Sequence, residues 1–143
     1  MNTERRHAVS KKLVLDSFAL VSLFHKEPGW EKVRAALYEQ QRAETKAFLN
    51  WVNWGEFYYI VKRKVGSTRA AEALQLLEQL PIELVPVDLA LVRDAAELKS
   101  EHAISYADAF CIATARRLSA TVLTSDPEFH AVEHLITVRW LSA

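Results

Sequence analysis

Glycine is nearly missing, with three residues in 143. No glycine-rich phosphate loop is present, which removes the nucleotide-binding motifs built on one. Cysteine occurs once, at Cys111. No intrachain disulfide can form, which fits a reducing compartment, and in the middle of an apolar stretch the thiol reads as a small buried hydrophobe. Net charge is absent too: 18 Lys and Arg against 18 Asp and Glu leave no overall field to gather a polyanion or a membrane surface. If the chain handles a polyanion, the charge is local or comes from a metal. The N-terminal stretch MNTERRHAVSKK is polar and the apolar run after it is broken by Asp16, so neither a signal peptide nor a membrane span is expected, and the expected location is the cytoplasm. With no repeat, linker or low-complexity segment, residues 1–143 read as a single domain.

What is present is alternation. Short β patterns occur at Lys12–Asp16, Lys46–Asn50, Ile82–Val87 and Thr121–Asp126, and in LITVRWL near the end. Between them lie helical patterns: SFALVSLFHK, Trp30–Ala43, WVNWGEFYYIVKRKV closed by Gly66, STRAAEALQLLEQL ending before Pro81, DLALVRDAAELKSEH opening on Asp88, and ISYADAFCIATA. Strands separated by helices predict a parallel sheet with helices on both faces, and such folds place ligands at the carboxyl ends of their strands.

Four acids fall at that rim. Asp16 ends the first strand pattern and Asp126 the fourth, Asp108 lies in the first turn of a helix entered from the same edge, and Glu56 sits one or two turns into the helix after the second strand. Each has a plain alternative. Asp16 and Asp126-Pro127 suit helix N-caps, Ser105-Tyr-Ala-Asp108 resembles a capping box with Asp in place of Glu, and Glu56 could be a solvated helix acid. Their surroundings argue otherwise: Glu56 is set among Trp54, Gly55, Phe57, Tyr58 and Tyr59, and Asp108 precedes an almost wholly apolar helix. Carboxylates in apolar surroundings are costly unless paired or coordinating a cation, and clustered ones raise each other's pKa. An all-oxygen donor set suits Mg²⁺ or Mn²⁺. The five His show no HExxH spacing, no CxxC occurs, and Ser17 and Ser125 lack a GxSxG-type turn. Metal-assisted hydrolysis of a phosphate ester is the chemistry that remains.

The order of LDSFAL, EPGWEKV, FLNWVNWGEFYYI, ISYADAFCIATA and TVLTSDPEF resembles the PIN domain of VapC-type toxins from toxin–antitoxin pairs, from about Leu13 to about Trp140. The resemblance implies a three-layer α/β/α sandwich with a mainly parallel sheet and a Mg²⁺-dependent endoribonuclease leaving a 5′-phosphate and a 3′-hydroxyl. It also implies a homodimer and a small co-encoded antitoxin. It assigns Asp16, Glu56, Asp108 and Asp126 to the catalytic metal site. It places Ser17, Asn50, Asn53, Thr124 and Ser125 around them, and departs at Phe18, where a Ser is common.

Arg63, two turns after Glu56, and Arg116, two turns after Asp108, are candidate contacts for RNA phosphates, against the alternative of a solvated charged face. Trp51, Tyr58 and Val61 are expected to form one core-facing stripe with Trp54 beside it, and the surplus rings suggest a groove for a partner. The rival reading is a PIN fold that binds RNA or protein without catalysis, which loss of an acid would signal, and none of the four is lost. Phosphatases of the haloacid-dehalogenase type need an acid where Phe18 stands, and receiver domains need an acidic pair at the first strand end and a phospho-acceptor at the third.

Overall fold

The computed structural model describes residues 12–141. Strands β1 (Leu13–Leu15), β2 (Ala47–Asn50), β3 (Ile82–Val85), β4 (Thr121–Thr124) and β5 (Thr137–Trp140) alternate with helices. These are α1 (Ser17–His25), α2 (Trp30–Arg42), α3 (Trp51–Val65), α4 (Ser67–Glu78), α5 (Leu89–Glu101) and α6 (Tyr106–Leu118), with a 3₁₀ turn over Pro127–Val132. All strand pairs are parallel, in the order β3-β2-β1-β4-β5.

The strand residues account for the layers. Leu13 and Leu15 of β1 join Ala47, Leu49 and Leu123 in a core with α1 to α4, whereas Val14 and Val122 join the core made with α5 and α6. Successive strand side chains point to opposite faces, so a run such as LVL, buried at every position, belongs to a strand covered on both sides. The result is a three-layer α/β/α sandwich.

Three strands stop short of their sequence patterns. β3 ends at Val85 rather than Val87, because Pro86 has no N–H to give the ladder. β1 and β4 end before Asp16 and Asp126 because each acid turns the chain into the next helix. Asp16 Oδ1 accepts the Ala19 N–H at 2.9 Å, and Asp126 Oδ1 accepts the Glu128 N–H at 3.0 Å. The helix expected to carry Trp51 in its core stripe is phased differently. Asn50 caps α3, and the buried positions are Asn53, Phe57 and Val61, at intervals of four. Trp51 is exposed, and Trp54 and Tyr58 pack at the core's margin, stacked at 6.0 Å.

The α1–α2 turn requires Gly29. Its φ is +94°, and a Cβ there would stand 2.9 Å from the Cβ of Leu141. Gly29→Ala is therefore expected to destabilise the protein by about 1–3 kcal/mol, from left-handed backbone and overpacking together. Urea unfolding measures this, and an unchanged midpoint would show that the turn is not so constrained.

The topology sets the site. From β1 the chain moves outward to β2 and β3, then crosses back to place β4 on the other side of β1 and continues to β5. Connections therefore leave β1 and β4 in opposite directions, which opens a crevice between their carboxyl ends. Asp16 and Asp126 follow those two strands.

Candidate active site

Asp16, Asp108 and Asp126 each present a carboxylate oxygen, and these oxygens all lie within 4.8 Å of one another. Three separate elements deliver them. Asp16 is wholly buried and fixed at both oxygens: Oδ1 caps α1, and Oδ2 accepts the Thr124 hydroxyl at 2.5 Å. Thr124 Oγ1 in turn accepts the Asp126 N–H at 2.9 Å, so one hydroxyl ties together the acids of the adjacent strands β1 and β4. Ser125, half-buried, lies between them. Glu56, half-buried on α3, accepts the hydroxyl of the buried Ser17.

Asp108 is held from further away. Asn50 Oδ1 accepts the Asn53 N–H at 2.8 Å, and Asn50 Nδ2 donates to Asn53 Oδ1 at 2.8 Å and to Thr114 Oγ1 at 3.2 Å. Asn53 Nδ2 donates to the carbonyl of Ala107 at 3.1 Å. Two of these hydrogen bonds go to α6 and none to the acids, and they pin α3 against the residue before Asp108. Only half of the alternative capping box forms. Ser105 Oγ accepts the Asp108 N–H at 3.1 Å, but the Ser105 N–H goes to Glu128 Oε1 at 2.8 Å. The Asp108 carboxylate is left out of its own helix cap.

Glu128 did not stand out in the sequence. The DPE run puts a second acid two residues after Asp126, but the contact that gives it meaning spans 23 positions and exists only in the fold. Arg63 lies exposed near the end of α3, over the Tyr59 ring at 5.0 Å. Arg116 lines a cleft of about 330 Å³ between α5 and α6 with Asp94, Glu97 and Glu101, and none of the four candidate acids lines that cleft.

Burial dominates the electrostatics. It pushes the Asp16 carboxyl up to about 7, against the opposing hydrogen bonds from Thr124 and Ala19 and with added repulsion from Asp126 and Glu56. Asp108 is pushed up to about 10, first by burial and then by the Asp126 and Glu128 carboxylates beside it. Glu56 is raised mainly by burial. The Cys111 thiol, buried and facing the same acids, is driven well above its ordinary range, which keeps it an inert neutral neighbour. Asp108 Oδ2 is buried without a hydrogen-bond donor. Buried oxygens are normally satisfied, and an unsatisfied one beside two other carboxylates fits the donor set of a hard divalent cation.

A parallel doubly wound sheet with an acid-lined crevice at its switch point defines an α/β domain suited to hold a divalent cation at the carboxyl rim. The model of the PIN domain matches residues 13–135, and the chain belongs to that family. Its fold is similar to that of VapBC2 from Rickettsia felis bound to a promoter DNA fragment, at 15% identity and a TM-score of 0.73, covering 90% of this chain and 97% of that one. DNA-bound VapBC from Salmonella typhimurium is similar at 14% identity and a TM-score of 0.71, covering 92% and 98%. So is VapC20 from Mycobacterium tuberculosis, a sarcin–ricin-loop-cleaving toxin, at 19% identity and a TM-score of 0.63, covering 85% and 95%. At these identities the likeness is one of fold. No curated protein matches the sequence.

Proposed function

We propose that this chain is a Mg²⁺-dependent endoribonuclease, the toxin of a type II toxin–antitoxin pair, acting in the cytoplasm as a homodimer. The observation that carries the reading is the cluster of Asp16, Asp108 and Asp126 together with the buried, donorless Oδ2 of Asp108. Those three acids would hold Mg²⁺ or Mn²⁺, with Glu56 as the fourth member of the site. When bound, the cation supplies Lewis-acid polarisation of the scissile phosphate and activation of water.

The remaining work falls to the chain's own groups. Thr124 fixes the spacing of Asp16 and Asp126. Ser17 holds Glu56 Oε1, which leaves Oε2 to take a proton from an attacking water, a role its raised pKa suits. Asn50 and Asn53 set the position of α6. Arg63, exposed beside Tyr59, is the better of the two candidate phosphate contacts, because Arg116 shares its cleft with three acids that oppose an anion, and the other cation there, Arg117, is paired with Asp88. Trp51 and Tyr59 stay exposed on α3, and the C-terminal segment of a small co-encoded antitoxin is the occupant this reading gives them. Related folds occur in complexes named VapBC, which supports that partner.

The test is cleavage of a structured RNA pool. Purified protein is expected to cut with Mg²⁺ or Mn²⁺, to stop in chelator, and to be silenced by the product of the neighbouring gene. Binding of RNA without metal-dependent cleavage would support the binding-module alternative instead.

A further inference from the structure

Glu128 is exposed and lies outside the group of three close aspartates, yet it is joined to two of them through hydrogen bonds. Its backbone N–H is held by Asp126 Oδ1 at 3.0 Å. Its side chain crosses to the start of α6, where Oε1 accepts the Ser105 N–H at 2.8 Å. Ser105 Oγ in turn accepts the N–H of Asp108 at 3.1 Å. The series Asp126–Glu128–Ser105–Asp108 therefore joins the 3₁₀ turn after β4 to the first turn of α6, the two elements that carry two of the three clustered acids.

The Ser105 N–H has a competing acceptor. In a complete capping box the acid three residues after the cap returns to the cap's own N–H, and here that acid is Asp108. Were the Ser105 N–H free, the Asp108 carboxylate would have a local partner and a reason to leave the cluster. Its Oδ2, buried and without a donor, would be satisfied by the move. As the structure stands, Glu128 already holds that N–H.

We infer that Glu128 is a positioning residue for the metal site: by occupying the Ser105 N–H it keeps the Asp108 carboxylate out of its own helix cap and in line with Asp16 and Asp126. The inference rests on the proposed metal site and adds a residue to it. Glu128 acts here as the acceptor of the Ser105 N–H; its carboxylate also lies beside that of Asp108, and substitution separates the two effects. Glutamine has the same reach and an acceptor oxygen but no charge, whereas alanine has neither.

The experiment is a calorimetric titration of Mn²⁺ into the parent, Glu128→Gln and Glu128→Ala, with thermal melts in chelator and Mn²⁺-dependent RNA cleavage alongside. Both variants lose the charge, so the difference between them reports the bond to Ser105. Glu128→Gln is expected to bind Mn²⁺ at least about tenfold more tightly than Glu128→Ala, the usual scale for losing a group that orients a metal ligand. The two variants should melt alike in chelator, because in Glu128→Ala Asp108 takes over the free N–H. Cleavage by Glu128→Ala should recover at raised Mn²⁺. Equal weakening in both variants would mean that Glu128 acts through its charge or as a ligand, and parental affinity in Glu128→Ala would mean that the bond to Ser105 does nothing for the site. Either result overturns the inference and leaves the metal site standing. A parent that binds no Mn²⁺ removes the metal site itself, and the inference with it.

Discussion

Asp108→Asn is expected to give a folded protein that melts in chelator at least as high as the parent and cleaves RNA about a hundredfold more slowly, or worse. Three features of the residue lead there. The cap of α6 uses the backbone N–H of residue 108 and the Ser105 hydroxyl, so changing the side chain leaves it intact. Burial and the carboxylates of Asp126 and Glu128 push the Asp108 carboxyl up to about 10. Near pH 7 without metal the side chain is therefore already neutral, and Asn is a neutral group of nearly the same shape. Its amide N–H can moreover donate to the carboxylates that now crowd a carboxyl, which favours the apo fold.

With metal the comparison reverses. The same substitution takes one negative charge from the cation's immediate surroundings and replaces a carboxylate ligand with a weak amide oxygen. Loss of a principal electrostatic element costs on the order of a hundredfold or more in rate. Cleavage assays with Mg²⁺ beside melts in chelator measure both halves. Near-parental cleavage by a well-folded variant would return Asp108 to the status of an ordinary helix residue and take the nuclease reading down.

The sequence made some of this legible and hid the rest. The order of strands and helices was readable because apolar strands buried on both faces, such as LVL, and proline and glycine punctuation leave local marks. Asp16 and Asp126 were placeable because each sits where an apolar β run meets a helix start, and a parallel sheet collects such points on one rim. Strand ends were less clear: Asp16 and Asp126 continue the β pattern in the sequence but spend a side-chain oxygen on a cap, and Pro86 cuts β3 short. Five aromatic residues mask the period of α3 in the sequence, and only the Asn50 cap and the Asn53 contact with Ala107 fix which face turns inward. Glu128 was invisible for a different reason. Its partner Ser105 lies on another element, and local pattern carries no information about which N–H an exposed acid will meet. The capping-box spacing at Ser105–Asp108 even pointed to the wrong acceptor.

Metal-free protein should lose stability as pH rises, and Mn²⁺ should restore more of it at higher pH. Asp16 and Asp108 have folded-state pKa values raised to about 7 and about 10 from the ordinary 3.8, and Glu56 is raised as well. For an acid raised in this way the two states bind protons equally below the unfolded value. Above it the unfolded chain ionises while the folded one cannot, so the unfolded state binds fewer protons and stability falls until pH passes the folded value. The window thus opens near pH 4, Asp16 leaves it near 7, and Asp108 carries the fall on towards 10. Three groups pull the other way at lower pH. His25, lowered mainly by burial, adds stability as pH rises to its ordinary value of 6.5, Glu128, lowered by its Asp108 and Ser105 contacts, acts only below 4.5, and Asp88, lowered by its Arg117 and Leu91 hydrogen bonds, acts only below 3.8. A comparison of pH 7 with pH 8.5 avoids all three. Each group ionised only in the unfolded state costs at most about 1.4 kcal/mol per pH unit, which for a chain of this size is a drop of a few degrees in melting temperature. A bound cation needs ionised carboxylates, so binding releases protons and tightens with pH, and the Mn²⁺-induced rise in melting temperature should be larger at 8.5 than at 7. The double variant Asp16→Asn, Asp108→Asn should flatten the pH dependence and abolish the Mn²⁺ effect together. A parent whose chelator melts do not change between pH 7 and 8.5 would show that these carboxyls are already ionised in the apo fold, and a Mn²⁺ shift that survives in the double variant would put the cation somewhere else on the molecule.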